Sequence, residues 1–132
     1  MKNQLICHCK KIVIEINIDR DYLRNIRRCD CSLCNRKGYV MASVTLDELC
    51  IKEGLEHLRL YQWGTGAAEH YFCNNCGVYT HHKRKSNPNE FGINIACIEG
   101  VDAVHIQNVP VGNGDLNLLV EECSRRHFDF KS

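Results

Sequence analysis

Seven of the ten cysteines in this 132-residue chain fall in three short clusters, and this spacing constrains the fold more than any other feature. The clusters are a C-x-C pair, a C-x-C-x-x-C triplet and a C-x-x-C pair: Cys7 and Cys9; Cys29, Cys31 and Cys34; Cys73 and Cys76. Such spacings let neighbouring thiolates bind one small metal ion. Because the clusters are far apart in the sequence, the fold has to bring them together.

The number of clustered cysteines predicts two zinc ions per chain. A structural zinc ion takes four protein ligands, whereas a catalytic zinc ion often takes three and keeps an open position. Seven thiolates divide into four plus three, which indicates one closed and one open site. The pair Cys73 and Cys76, followed by Gly77, is typical of a zinc knuckle, because glycine adopts left-handed backbone angles without steric cost. A predicted strand follows Cys7 and Cys9, which makes this pair the geometric match for the knuckle.

The triplet is self-sufficient on one predicted loop and can leave a fourth position for water or a substrate sulfur. Alternatively, a fourth protein ligand closes this site, and the candidates are Cys50, Cys97, Cys123 or a histidine such as His70. The spacing leaves both possibilities open. The three isolated cysteines are otherwise expected to pack in the core. A disulfide framework is the less favoured interpretation, because the N-terminal residues show no pattern of a secretion signal.

Length and charge restrict the class of protein. The chain is long enough for one domain, expected to span residues 1–132, and it contains no run of about 20 apolar residues that would cross a membrane. We expect a cytoplasmic location. The formal charge of +1 becomes about −2 when seven thiolates (−7) and two zinc ions (+4) are counted. This near-neutral charge disfavours nucleic acid as a partner. The basic run at residues 81–85 is interpreted as a solvated strand end rather than an anion site.

The hydrophobic pattern predicts a mainly β domain with short strands and little helix. Ile12, Ile14, Ile16 and Ile18 alternate with other residues, which predicts a strand with one face in the core. The other expected strands lie at 39–46, 49–51, 57–63, 91–97 and 104–109, with a hairpin at 71–81 around the third cluster. Segment 19–28 is expected to be a connector with one helical turn, and 116–126 is expected to be a helix.

The runs ICHCK, CDCSLCNRKG, HYFCNNCGVYTHH and FGINIACIEG resemble the family of glutathione-dependent formaldehyde-activating enzymes and centromere protein V. The resemblance covers residues 5–105. It implies a β-tent-like domain, related to zinc ribbons. It also implies a structural zinc and a second, catalytic zinc, bound respectively by Cys7, Cys9, Cys73 and Cys76 and by Cys29, Cys31 and Cys34. One position departs from the family pattern, since Lys10 stands where glycine often follows the first C-x-C.

The resemblance further implies a carbon–sulfur lyase activity that joins glutathione and formaldehyde to give S-(hydroxymethyl)glutathione. The alternative is a zinc-stabilised module that binds protein or nucleic acid without catalysis. The compact chain, its near-neutral charge and the open triplet favour an enzyme acting on a small thiol. Glutathione carries two carboxylates, and the candidate cations for them are Arg36, Lys37, Lys83 and Arg84.

Overall fold

The computed structural model describes residues 3–64, 66, 68–83, 87–106 and 108–112. Over these residues the fold is mainly β, with one short α-helix. The strands are β1 (Asn3–Ile6), β2 (Val13–Ile16), β3 (Arg24–Cys29), β4 (Met41–Thr45), β5 (Leu49–Glu53), β6 (Leu58–Tyr61), β7 (Glu69–Cys73), β8 (Tyr79–Lys83), β9 (Glu90–Asn94) and β10 (Val111–Gly112), and helix α1 is Ser32–Lys37. No helix in these ranges is long and apolar enough to cross a membrane.

The strands form two sheets. The smaller sheet has the order β1-β2-β5 and is antiparallel. The larger sheet has the order β10-β3-β4-β9-β8-β7-β6, and its pairs are antiparallel except for the parallel pair of β10 and β3. The predicted alternation is present in β2, where Ile14 and Ile16 are buried and Val13 and Glu15 are half-buried. The sequence pattern missed β1, which completes the hairpin with β2.

Both sheets contribute to one main apolar core. Its buried members are Leu5, Cys7, Ile12, Ile14, Ile16, Val40, Ala42, Val44, Cys73, Ile93, Ile95 and Ile98. Burying a side chain as large as isoleucine stabilises a fold by about 1.5–3 kcal/mol. A second, smaller cluster consists of Cys34, Tyr39 and Met41, with Cys29 and Cys31 packed against it. The two cysteine pairs therefore lie at the main core, whereas the triplet lies at the second cluster.

The turn after β5 needs glycine at position 54. Gly54 has a positive φ of 86°. A Cβ atom there would lie 2.1 Å from the carbonyl oxygen of Lys11. A side chain at this position would therefore collide with the backbone that leads into β2. The turn predicted at Glu53-Gly54 is present, and the close approach explains its glycine.

The expected connector at 19–28 is wrong. It forms a 3-10 turn at Arg20–Tyr22 and then strand β3. The strand is irregular, with a register shift between Arg24 and Arg27. Its one buried side chain is a cation, Arg27, which donates a hydrogen bond to the Ser43 hydroxyl over 3.1 Å. Because an arginine takes the place of an apolar residue, the segment lacks the pattern that predicts a strand.

The strands expected at 91–97 and 104–109 also differ from the observed structure. Strand β9 ends at Asn94, because the Asn94 side chain accepts the Ala96 N–H and starts a 3-10 turn at Ile95–Cys97. The strand expected at 104–109 is wrong, since Ala103–His105 is a 3-10 turn. The helix expected at 116–126 lies outside the described residues.

Candidate metal centres

The first candidate centre joins two knuckles that are distant in sequence. Sulfur atoms of Cys7, Cys9, Cys73 and Cys76 all lie within 4.8 Å of one another. Cys9 Sγ is 3.6 Å from Cys7 Sγ and 3.6 Å from Cys73 Sγ. One knuckle is the turn between β1 and β2, and the other is the turn between β7 and β8. The pairing of these strands into two sheets thus brings the two halves together.

Backbone amides in both knuckles point at the sulfur atoms. The Ile12 N–H donates to Cys7 Sγ over 3.3 Å, and the Asn75 N–H donates to Cys73 Sγ over 3.3 Å. Gly77 follows the second knuckle with φ 75°, and Lys10 follows the first with φ 69°. The first knuckle therefore bends as a glycine-bearing knuckle would, although a lysine has to take the left-handed conformation. These amides stabilise negative charge on the sulfurs.

Cys7 and Cys9 differ in acidity. Hydrogen bonds from the Asn75 side chain and from the Lys11 backbone lower the pKa of Cys9 to about 6. Burial raises the pKa of Cys7 to about 11. Four sulfurs at this spacing repel one another once they are ionised, so a cation among them is needed to keep all four deprotonated. The donor set is soft and fits a tetrahedral zinc ion.

The second candidate centre is built on helix α1, where the sequence pattern suggests a loop. Cys29 ends β3, Cys31 is the N-cap residue of α1, and Cys34 lies in the helix. Their three sulfur atoms lie within 4.8 Å of one another. The Cys34 N–H donates to Cys31 Sγ over 3.3 Å, so the ligand also caps the helix. Gly38 ends the helix in the left-handed conformation, with φ 64°.

The three thiols of this triplet share charge unequally. Hydrogen bonds from Cys29 and Cys34 lower the pKa of Cys31 well below its ordinary value. The same contacts hold the pKa of Cys34 far above its ordinary value, because a proton between the sulfurs is stabilised. Without a cation only the first ionisation is favourable. A divalent metal ion removes this limit, and three thiolates are ligands that suit zinc.

Among the described residues, none of the proposed fourth ligands joins the triplet. The described part of the chain contains no further cysteine, histidine or carboxylate grouped with the three sulfurs. Cys50 is exposed on β5 in the other sheet, so neither ligation nor the expected core packing holds for it. Cys97 packs against the main core, and its thiol lies 3.7 Å from the Tyr79 carbonyl oxygen. Cys123 lies outside the described residues.

His70 does not join the triplet but lies in a polar network beside it. The Lys37 ammonium donates to His70 Nδ1 over 3.0 Å and to the Tyr39 hydroxyl oxygen over 3.3 Å. The Tyr39 hydroxyl is in turn hydrogen-bonded to His82 Nδ1 over 2.6 Å. The His70 and His82 rings stack with centroids 5.2 Å apart. Helix α1, the loop after it, and the β7–β8 pair thus each contribute to one network.

At pH 7 Lys37 carries a positive charge in this network, and His70 is neutral. Burial lowers the pKa of Lys37 to about 8, against the opposing effect of the cysteine charges, so the ammonium form dominates at pH 7. Burial and the Lys37 charge lower the pKa of His70 to about 4. His70 is therefore neutral, as its acceptor role at Nδ1 requires. Burial also raises the pKa of Tyr39, which keeps its hydroxyl protonated.

Comparison with known proteins agrees with this arrangement. The model of the family "Glutathione-dependent formaldehyde-activating enzyme" (GFA) matches residues 2–109. The chain belongs to the GFA family. It is also similar to a Rhodobacter sphaeroides protein of known crystal structure, with 44% sequence identity and a TM-score of 0.76. That similarity covers 85% of this chain and 100% of the other. Both cysteine groups lie inside the segment that matches the GFA family.

The remaining cations suggested by the sequence are placed differently in this GFA-family chain. Arg36 donates to the Ser32 carbonyl of its own helix and is exposed. Lys83 ends β8, and Arg84 lies outside the described residues. Among the candidate cations that the structure describes, only Lys37 joins the polar network beside the triplet.

The interpretation of 81–85 as a solvated run is wrong for its first two residues. His81 and His82 are buried in β8. His81 stacks on Tyr71, with ring centroids 4.7 Å apart, and its edge meets Phe91. Such contacts depend on strand pairing and leave no signal in the local sequence. Tyr39 carried no sequence signal either, whereas Lys37 was among the candidate cations of the sequence analysis, and its position three residues after Cys34 on a helix explains why it lies on the same face.

Proposed function

We propose that this GFA-family protein is a zinc-dependent carbon–sulfur lyase-type enzyme that joins a small thiol to an aldehyde. Glutathione and formaldehyde are the proposed pair, and S-(hydroxymethyl)glutathione is the product. The observation that carries this proposal is the sulfur triplet, which has no fourth ligand among the described residues. A triplet of this kind can accept an exogenous ligand.

The two sulfur groups are proposed to have different roles. Cys7, Cys9, Cys73 and Cys76 would hold a structural zinc ion, because four thiolates complete a tetrahedron. Cys29, Cys31 and Cys34 would hold the second zinc ion, which when bound would lower the pKa of a thiol in its fourth position or polarise the aldehyde oxygen. Three thiolates donate strongly to the metal. A soft thiol is therefore a better fourth ligand than water.

The reaction itself requires little beyond positioning and charge. The thiolate sulfur forms a bond to the aldehyde carbon, the C=O π electrons move to oxygen, and the proton lost by the thiol ends on that oxygen. The site has to hold the two reactants together and stabilise the developing negative charge. The triplet supplies the thiol position, and the polar network of Lys37, Tyr39, His70 and His82 supplies the nearby positive charge.

The proposal is tested by exchange kinetics. Glutathione and ¹³C-formaldehyde equilibrate slowly enough for exchange NMR to measure how much the protein accelerates formation and breakdown of the adduct. We expect acceleration by wild type and by Cys50→Ser, and none by Cys34→Ser. Metal analysis of the same samples should give about two zinc ions per chain in the first two proteins and about one in Cys34→Ser. A wild type that holds two zinc ions and does not accelerate exchange of any thiol would instead favour the non-catalytic binding module.

A further inference from the structure

We propose that Lys37 is a catalytic residue of this reaction, in which its ammonium group binds the aldehyde oxygen and stabilises the negative charge that develops there. This inference rests on the proposed function. It identifies the group that binds the aldehyde oxygen, while the triplet site binds the thiol sulfur. It departs from the sequence-based suggestion that Lys37 binds a carboxylate of glutathione.

The placement of Lys37 follows from helix α1. Residues three apart on a helix lie on the same side, so Lys37 and Cys34 share one face. The charges of Cys34, Cys31 and Cys29 all act on the ammonium group. The ammonium group thus belongs to a side chain on the helix face of Cys34 and is not a metal ligand, since a protonated amine has no lone pair for a metal. A substrate bound to the triplet through sulfur would have its reacting carbon next to this cation.

The ammonium group is held from several directions by uncharged partners. Two of its three N–H donors are used, one by His70 and one by Tyr39. Its nitrogen also lies 4.4 Å from the Tyr39 ring centroid and 4.1 Å from the Tyr79 ring centroid. These contacts restrict a side chain that is otherwise among the most flexible. The geometry is thus organised before substrate arrives, which is the property that charge stabilisation in a transition state requires.

One N–H of Lys37 has no partner within the part of the chain that the structure describes. Among the described residues the ammonium has hydrogen bonds to His70 and Tyr39 and no ion pair with a carboxylate. A half-buried ammonium that lacks a carboxylate partner keeps its positive charge available for a ligand. The ligand that the proposed reaction supplies next to the triplet is the aldehyde oxygen, which turns into an alkoxide as the C–S bond forms and then takes the thiol's proton.

Tyr39, His70 and His82 act in this proposal as positioning residues. The hydrogen bond to His82 Nδ1 restricts the orientation of the Tyr39 hydroxyl, whose oxygen accepts from Lys37. Gly92 makes room for this arrangement, because a Cβ atom there would lie 2.3 Å from the His82 ring. Lys37 and these three side chains come from three parts of the fold, and the three side chains orient the ammonium group of Lys37.

The test compares Lys37→Met with Lys52→Met. Lys52 undergoes the same chemical change on β5, where its exposed side chain lies 3.6 Å from Glu15. Both variants are assayed by ¹³C exchange NMR with glutathione and with 2-mercaptoethanol, which has no carboxylate. We expect Lys37→Met to lower kcat about 100-fold or more with both thiols and Lys52→Met to leave it unchanged.

A second readout is independent of activity. Cobalt replaces zinc, and the sulfur-to-cobalt absorption band reports thiol binding at the triplet. Lys37→Met should bind both thiols with an affinity within about twofold of wild type, because the lysine acts on the oxygen and not on the sulfur.

Three other outcomes would contradict the inference about Lys37, and a fourth would contradict the proposed function as well. If Lys37→Met raises KM for glutathione and leaves 2-mercaptoethanol unaffected, the lysine binds a carboxylate and the inference is wrong. If cobalt or thiol binding is lost in Lys37→Met, the lysine maintains the metal site and the inference is equally wrong. A fully active Lys37→Met also overturns it, while the proposed function stands. An inactive wild type overturns the proposed function, and the inference with it.

Discussion

Replacing one ligand in each sulfur group should have very unequal effects on stability. The first group joins Cys9 to Cys73, which are 64 residues apart, whereas the first and last cysteines of the triplet, Cys29 and Cys34, are five residues apart. The entropy cost of closing a flexible loop grows as (3/2)RT ln n. A metal ion that stays bound to the unfolded chain therefore removes more of its conformational entropy when it closes the longer loop. The free-energy costs of closing the two loops differ by about 2 kcal/mol on this scale.

Burial acts in the same direction as loop length. Cys73 is 0% exposed in the main core, while Cys34 belongs to the small cluster with Tyr39 and Met41. We therefore expect Cys73→Ser to lower the free energy of unfolding by at least about 2 kcal/mol more than Cys34→Ser does. For a chain of this size, this difference corresponds to roughly 8 °C in Tm.

The assay is thermal and urea unfolding of zinc-loaded, reduced protein. Cys50→Ser is the matched control, because Cys50 is exposed and belongs to neither sulfur group. It should unfold within about 0.5 kcal/mol of wild type. Metal analysis of each variant shows whether a zinc ion has been lost. Equal destabilisation by Cys73→Ser and Cys34→Ser, or a larger effect of Cys34→Ser, would refute the argument that the first group ties distant strands together.

Three further predictions concern single positions. Lys10 holds a left-handed conformation with φ 69°, so Lys10→Gly should raise the free energy of unfolding by about 0.5–1 kcal/mol, measured in urea, and an unchanged value would mean that the knuckle bears no strain. Burial lowers the pKa of His81 to about 4, so below pH 6.5 the unfolded chain takes up a proton that the folded chain excludes. Stability contributed by neutral His81 is then lost as the pH falls from 6.5 toward 4, by up to about 2 kcal/mol at pH 5, and urea unfolding of His81→Gln should show a correspondingly weaker pH dependence than wild type. Finally, glutathione should change the visible spectrum of the cobalt-substituted wild type and not that of Cys29→Ala, and a wild-type spectrum that no thiol changes would show that the triplet's fourth position is already filled.

The local sequence determined those features that depend on neighbouring residues. The C-x-C and C-x-x-C spacings predicted which sulfurs could share an ion, since two thiolates so close in sequence have little freedom to separate. The alternating isoleucines predicted β2, because side chains in a strand point to opposite faces at every second residue. Gly54 and Gly77 marked turns that need a positive φ or a close backbone approach.

Tertiary structure decided the features that depend on strand pairing. Nothing near Lys37 in the sequence indicates His70, which is 33 residues away and is brought to it by the pairing of β7 and β8 beside helix α1. The burial of His81 and His82 in a basic run has the same origin. Strand β3 was hidden because a paired backbone can accommodate a buried, hydrogen-bonded arginine in place of an apolar residue. The covalent chain limits the spacing within a cluster, whereas contacts between distant segments arise only when the whole core forms. The contacts around the triplet are of the latter kind, because His70 and His82 are distant from it in sequence.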